Sequence, residues 1–126
     1  MTDLFFSEYI QSGTSNRALE IYNSTGSTVD LLAAGYAIEI YSDGSTSVTT
    51  TINLSGTVAA GKTFVVADKS ADAIVLDKGN QTNTQLSFNG NDAIVLRKAQ
   101  TVLDAIGQVG FDPGTAWIFG SISTAD

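Results

Sequence analysis

A two-residue alternation of apolar and other side chains, cut at short intervals by Gly, Asn, Asp and Ser, is the feature that most narrows what this chain can fold into. It is clearest over residues 36–41, where Tyr36, Ile38 and Ile40 alternate with Ala37, Glu39 and Tyr41. Neighbouring side chains of a strand point to opposite faces, so this stretch reads as a strand with one face buried. Comparable segments rich in Val, Ile, Thr, Tyr and Phe predict strands over 4–10, 18–22, 48–54, 93–98 and 102–106, with a short apolar segment at 117–122. In the second of these, Leu19 and Ile21 share one side. The unbroken apolar run at 63–67 predicts a strand covered on both faces. Val29 and Leu31 lead through Gly35 into the strand at 36–41. Asp43-Gly44 and Asn89-Gly90 are hairpin reversals, because glycine accepts the positive φ such turns need, and Ser55-Gly56 and Ala60-Gly61 bracket a further connection. The fold class expected is an all-β sandwich.

One pentapeptide tests how far local sequence decides structure. Asp-Ala-Ile-Val-Leu occurs at 72–76 and again at 92–96, each time with a lysine two residues further on. The flanks differ, and a repeat fold needs at least three units to bury a continuous core, so internal duplication is the weaker reading. Ser70 as an N-cap predicts one short helical turn within 70–78, whereas Asn89-Gly90 makes the second copy extended.

Composition removes several function classes. The 126 residues include no cysteine and no histidine, so disulfide staples, sulfur-held metals and the commonest general base are all missing. Ser and Thr are abundant, but no Ser-x-x-Lys or Gly-x-Ser-x-Gly pattern supplies an activating base, and no glycine-rich phosphate loop has the required spacing. Six Lys and Arg against 13 Asp and Glu give a net charge of −7, which opposes docking onto nucleic acid, where affinity depends on neutralising phosphates. No apolar run approaches the ~20 residues needed to span a bilayer. Hydrophobic residues at 43% with only 15% charged fit a packed domain rather than disorder.

Specific residues then carry a resemblance. Leu4-Phe5-Phe6-Ser7-Glu8-Tyr9 and Ser15-Asn16-Arg17-Ala18-Leu19-Glu20-Ile21-Tyr22-Asn23 resemble the opening of bacterial lamin-tail domains. Phe88-Asn89-Gly90-Asn91-Asp92-Ala93 and Val102-Leu103-Asp104-Ala105-Ile106-Gly107-Gln108-Val109-Gly110 resemble that family's later strand pair. The resemblance implies an immunoglobulin-like β-sandwich over residues 1–126, non-catalytic, of the kind found beside secreted nucleases and other hydrolases. Similar bacterial domains commonly continue past residues 123–126 into a further basic strand, so the chain is expected to be part of a larger protein. The acidic surface departs from the basic one proposed to bind DNA in nuclear lamins, so DNA binding is not carried over.

Candidate sites are few. Glu8 and Glu20, on adjacent antiparallel strands, form the best carboxylate pair for acid and nucleophile of a glycosidase, with Arg17 within reach of either. The competing reading has Glu20 simply facing outward or paired with Arg17, on a sandwich too small for a deep cleft. Asn89, Asn91 and Asp92 are candidate calcium ligands, as are Asp68 and Asp72, since calcium takes oxygens from irregular loops. No segment fits a full EF-hand loop, and Asn and Asp also serve turns. Phe111, Trp117 and Phe119, around Asp112-Pro113-Gly114, are candidate partner-binding aromatics, or else the plug of one sandwich end. The function expected is a non-enzymatic protein-interaction or targeting module of a secreted or cell-surface protein. Its partner would be another protein or a neighbouring domain of the same chain, or a second copy paired through an open sheet edge. The alternative is a calcium- or glycan-binding module; no other cofactor is expected.

Overall fold

The computed structural model describes residues 3–12, 16–84, 86–88, 91–110, 118–119 and 122–123. The strands are β1 (Leu4–Ser12), β2 (Asn16–Asn23), β3 (Val29–Asp30), β4 (Tyr36–Tyr41), β5 (Thr50–Asn53), β6 (Thr57–Val58), β7 (Thr63–Asp68), β8 (Gln81–Thr84), β9 (Ala93–Lys98), β10 (Thr101–Ile106), β11 (Ile118–Phe119) and β12 (Ile122–Ser123). Two one-turn helices, α1 (Leu31–Ala34) and α2 (Ala73–Leu76), interrupt them. One sheet has the order β1-β2-β7-β8 and the other β10-β9-β4-β5; β3 pairs β6 and β11 pairs β12 in two small ribbons. The two larger sheets pack face to face as an immunoglobulin-like β-sandwich. Leu4, Leu19, Ile21, Phe64 and Val66 from one meet Ile38, Ile40, Ile52, Ile94 and Leu96 from the other in one buried cluster. Among the described residues no helix is long and apolar enough to cross a membrane.

The alternation holds over 36–40, with Tyr36, Ile38 and Ile40 buried and Ala37 and Glu39 half-buried, but ends at Tyr41, which is buried as well, in a second cluster with Ala93 and Val95 on the opposite face. The reversal after β4 is made by Asp43 and Gly44, both at positive φ, and β5 returns antiparallel with Ile40 opposite Thr50. The pentapeptide takes both structures. At 92–96 it lies in β9, where Ile94, Val95 and Leu96 are buried. At 72–76 it forms α2, which leaves Ile74 76% exposed. Context decides: the second copy has strand partners on both sides, β4 and β10, whereas the first sits in the connection between β7 and β8.

Two expectations are corrected and two further elements come to light. Ser70 does not cap the helical turn; the N-cap is Asp72, without a side-chain bond to the helix. Ser70 is held instead in the turn before it, its amide donating to Asp68 Oδ1 at 2.8 Å. The strand expected at 48–54 is shorter, because 45–49 form the far end of the hairpin, with Ser45 Oγ bonded to Ser47 O and the Ser47 amide to Ser45 Oγ. Residues 31–34, read only as the lead through Gly35 into β4, form α1: Asp30 accepts from the Ala33 amide at 3.1 Å and Gly35 closes the turn at φ 79°. Finally, β8 is a strand that sequence pattern missed, since Gln-Thr-Asn-Thr is polar. It joins the sheet parallel to β7, anchored by Asn80, whose Oδ1 accepts from the Val65 amide at 2.8 Å.

The α2 connection returns close to its own sheet. A Cβ on Gly79 would collide with Thr82 Cγ2 and stand 3.3 Å from Ala67 Cβ, so glycine lets the chain pass there without displacing Thr82. Asp68, 4% exposed, fixes the following segment: besides Ser70 it accepts from the Leu86 amide at 2.9 Å, bringing Leu86 and Phe88 into the core.

Candidate functional site

The site is the outer face of the β1-β2-β7 sheet. Because Leu19 and Ile21 point into the core from β2, and Phe64 and Val66 from β7, the intervening residues point outward. Register aligns them in three rows across the strands: Phe5–Tyr22–Thr63, then Glu8–Glu20–Val65, then Ile10–Ala18–Ala67. In the first row the Phe5 and Tyr22 rings lie 5.5 Å apart at 52°.

A β-bulge makes the middle row. Strict alternation along β1, with Leu4 and Phe6 inward, would turn Glu8 into the core. The register slips between Phe6 and Glu8, so Ser7 and Glu8 both face solvent, and Tyr9 turns back to pack against Phe88 at 5.2 Å. Bulges re-aim side chains in this way. Glu8 thereby sits directly opposite Glu20, and Ser7 Oγ donates to Glu20 Oε1 at 2.7 Å. Among the described residues neither glutamate forms an ion pair. The other sheet treats its carboxylate differently: Glu39 Oε1 receives Arg97 Nε at 2.8 Å and the Tyr41 hydroxyl at 3.2 Å.

Beside the carboxylates lies a cleft of about 200 Å³, floored by Ala18 and Val65 and walled by Ile10, Ile74 and Val75, with Glu8, Glu20 and Lys78 at its rim. Ile74 is 76% and Ile10 37% exposed. Small-molecule sites usually enclose ~300–1,000 Å³, so this cleft admits a side chain or two and not a sugar ring with its neighbours. Glu8 and Glu20 are thus brought together as expected, but on an open sheet face without the enclosure that glycosidase chemistry uses. Arg17 joins neither carboxylate in these contacts. Its Nη1 donates to Leu86 O at 3.3 Å, and its guanidinium lies 6.0 Å from the Phe88 ring centre.

The calcium candidates divide. Asn89 lies outside the described residues. Asp92, 2% exposed, accepts from the Asp43 amide through Oδ1 at 3.2 Å, and Asn91 Nδ2 donates to Asp43 Oδ1 at 3.0 Å. These bonds tie the β4–β5 hairpin to the start of β9. Asp72 Oδ2 accepts from Asn16 Nδ2 and its amide donates to Asn16 Oδ1, both at 2.8 Å; with Asp68 engaged as described, each of these residues has a structural task. Among the described residues no three His, Cys, Asp or Glu side chains gather as a metal site. Of the aromatic candidates, Phe111 and Trp117 lie outside the described residues, and Phe119 is described only as a strand residue of β11.

Both flanks of the sandwich are drawn together by single side chains. Between β1 and β10, Asp104 Oδ2 accepts from the Phe6 amide at 2.9 Å, and each strand carries a bulge there. Between β8 and β5, Gln81 Nε2 donates to Asn53 O and Gln81 Oε1 accepts from the Ser55 amide, both at 3.2 Å. Bulges and inward carboxylates blunt sheet edges against strand addition.

Sequence reasoning singled out Glu8 and Glu20 but missed Ile10, Val65, Ile74, Val75 and Lys78. The exposed Ile74 and half-buried Val75 of α2 had a signal in the repeated pentapeptide: a helical copy outside the sheet must expose part of what the strand copy buries.

The comparison with known families agrees with the architecture. The model of the lamin tail domain matches residues 1–110, which include every strand of the two larger sheets. No curated protein matches the sequence. The chain belongs to the lamin tail domain family, whose fold is immunoglobulin-like and whose domain is non-catalytic.

Proposed function

We propose that this lamin tail domain is a protein-interaction module of a secreted or cell-surface protein, and that it binds through the outer face of β1, β2 and β7. The observation that carries the reading is the exposed apolar cleft at Ile10, Val65, Ile74 and Val75, with a half-buried Phe5–Tyr22 pair across the Glu8–Glu20 row on the same face. Interface centres favour such aromatic and aliphatic anchors ringed by polar groups. The partner is a separate protein or a neighbouring domain of the same chain. Pairing of two copies edge to edge is the weaker mode, because the β1–β10 flank carries bulges and an inward carboxylate that discourage it and each copy bears a net charge of −7. The secreted or surface setting draws its support from the low charged fraction of 15% and from the likeness to bacterial lamin-tail domains, since an absence of cysteine fits either compartment.

A photo-crosslinking residue placed at Ile74, on the face, or at Val102, on the β10 edge and 52% exposed, separates these modes in the native host. Crosslinks at position 74 alone are the expected result. Crosslinks at 102 alone would move the interface to the edge, and none at either position would remove the face as a protein-binding surface. Calcium binding at Asn91 and Asp92 is the alternative reading, favoured if the melting temperature rises with millimolar calcium over a chelator control.

A further inference from the structure

We infer that the face takes an extended segment of another protein carrying a Lys or Arg two residues from an aliphatic side chain, the cation seated between Glu8 and Glu20 and the aliphatic group in the cleft. This rests on the face being the interface, and it names what the face selects.

The charge arrangement carries the argument. Like charges directly opposite on antiparallel strands destabilise a sheet. Here the opposition is constructed: without the slip at Ser7, Glu8 would point inward, and Ser7 then holds Glu20 by its Oε1 at 2.7 Å. Lys78 lines the same cleft, yet makes no ion pair with either glutamate among the described residues. Two carboxylates in no ion pair among the described residues, with Lys78 at the rim and apolar walls beside them, are complementary to a further basic side chain whose methylene stem lies along those walls while its head meets the acids. The net charge of −7 steers a basic partner in and a second copy of this chain away. Spacing gives the motif: the Glu8–Glu20 row and the Ile10–Ala18 row are two residues apart along the strands, ~7 Å, which is the i, i+2 repeat of an extended peptide.

The test is selection of a random peptide library displayed on phage against the whole 126-residue chain, followed by fluorescence anisotropy of the enriched peptides. Binding is compared between the unmodified chain and the variants Ile74→Arg, Val102→Arg and the double change Glu8→Gln with Glu20→Gln, each first shown by melting to be folded. Enriched sequences are expected to share a Lys or Arg two positions from Leu, Ile or Val. Their affinity should fall at least tenfold with the double glutamine variant and with Ile74→Arg, and stay unchanged with Val102→Arg. Peptides that lack a basic residue but lose affinity with Ile74→Arg overturn this inference and leave the face intact as an interface. Peptides indifferent to Ile74→Arg, or no enrichment at all, overturn both.

Discussion

Replacing Glu8 by Gln is expected to make the protein more stable, the opposite of what removal of a structural side chain does. Glu8 and Glu20 stand opposite each other across β1 and β2, and like charges so placed destabilise a strand pair; a cost the size of a favourable cross-strand pair is ~0.2–1 kcal/mol. The Ser7 hydroxyl, donating to Glu20 at 2.7 Å, relieves part of the repulsion, which puts the gain near ~0.5 kcal/mol, or ~1–3 °C in melting temperature for a domain of this size. Glu20→Gln should gain a similar amount. A general reduction of the net negative charge would also stabilise, but additively; a pair repulsion is removed by either change, so the double variant should gain no more than one single. The assay is thermal and urea unfolding of the four proteins of this cycle, at low salt and again at ~1 M, where screening over ~3 Å should erase most of the difference. Strict additivity, or destabilisation by Glu8→Gln, would refute the reasoning that the bulge holds two unbalanced carboxylates together.

Other outcomes follow from the geometry. Gly79→Ala should lose ~1–3 kcal/mol in urea unfolding, because the new Cβ meets Thr82 Cγ2 and crowds Ala67, so that these neighbours must shift. Asp68→Ala should lose ~2–4 kcal/mol, since it strips two amides, Ser70 and the buried Leu86, of their acceptor. Burial, together with the bond to Asp3 at 2.6 Å, holds the Tyr36 phenol well above its ordinary pKa of 10.0. A proton held more tightly when folded means stability that is whole below about pH 10 and is lost as pH rises beyond it. The melting temperature should therefore fall on the alkaline side, and Tyr36→Phe should flatten that fall.

The β-sandwich was legible because most of its strands bury one face and so leave a two-residue period, as β2 and β4 do. Parts without such a period were not. β8 is polar and owes its place to Asn80 and to the parallel edge of β7, which no local pattern announces. α1 carried signals that went unread, Asp30 ahead of Leu31 and Gly35 after Ala34, hidden by the apolar Leu31-Leu32. Proximity of Glu8 and Glu20 followed from strand adjacency, but their shared outward orientation depends on a one-residue slip at Ser7, and bulges leave no reliable trace in one sequence. The cleft was less legible still, since it needs α2 folded back over Ala67 through Gly79, a tertiary contact between segments whose composition suggested only a turn.

The most direct test of the binding face is amide chemical-shift mapping of the isotopically labelled chain as its crosslinked partner, or the strongest selected peptide, is titrated in. Shifts are expected to concentrate at Glu8, Ile10, Glu20, Val65 and Ile74, with 101–106 on the β10 edge and 43–45 on the far hairpin unmoved. Shifts concentrated on that edge or that hairpin, with the outer face silent, would contradict the assignment.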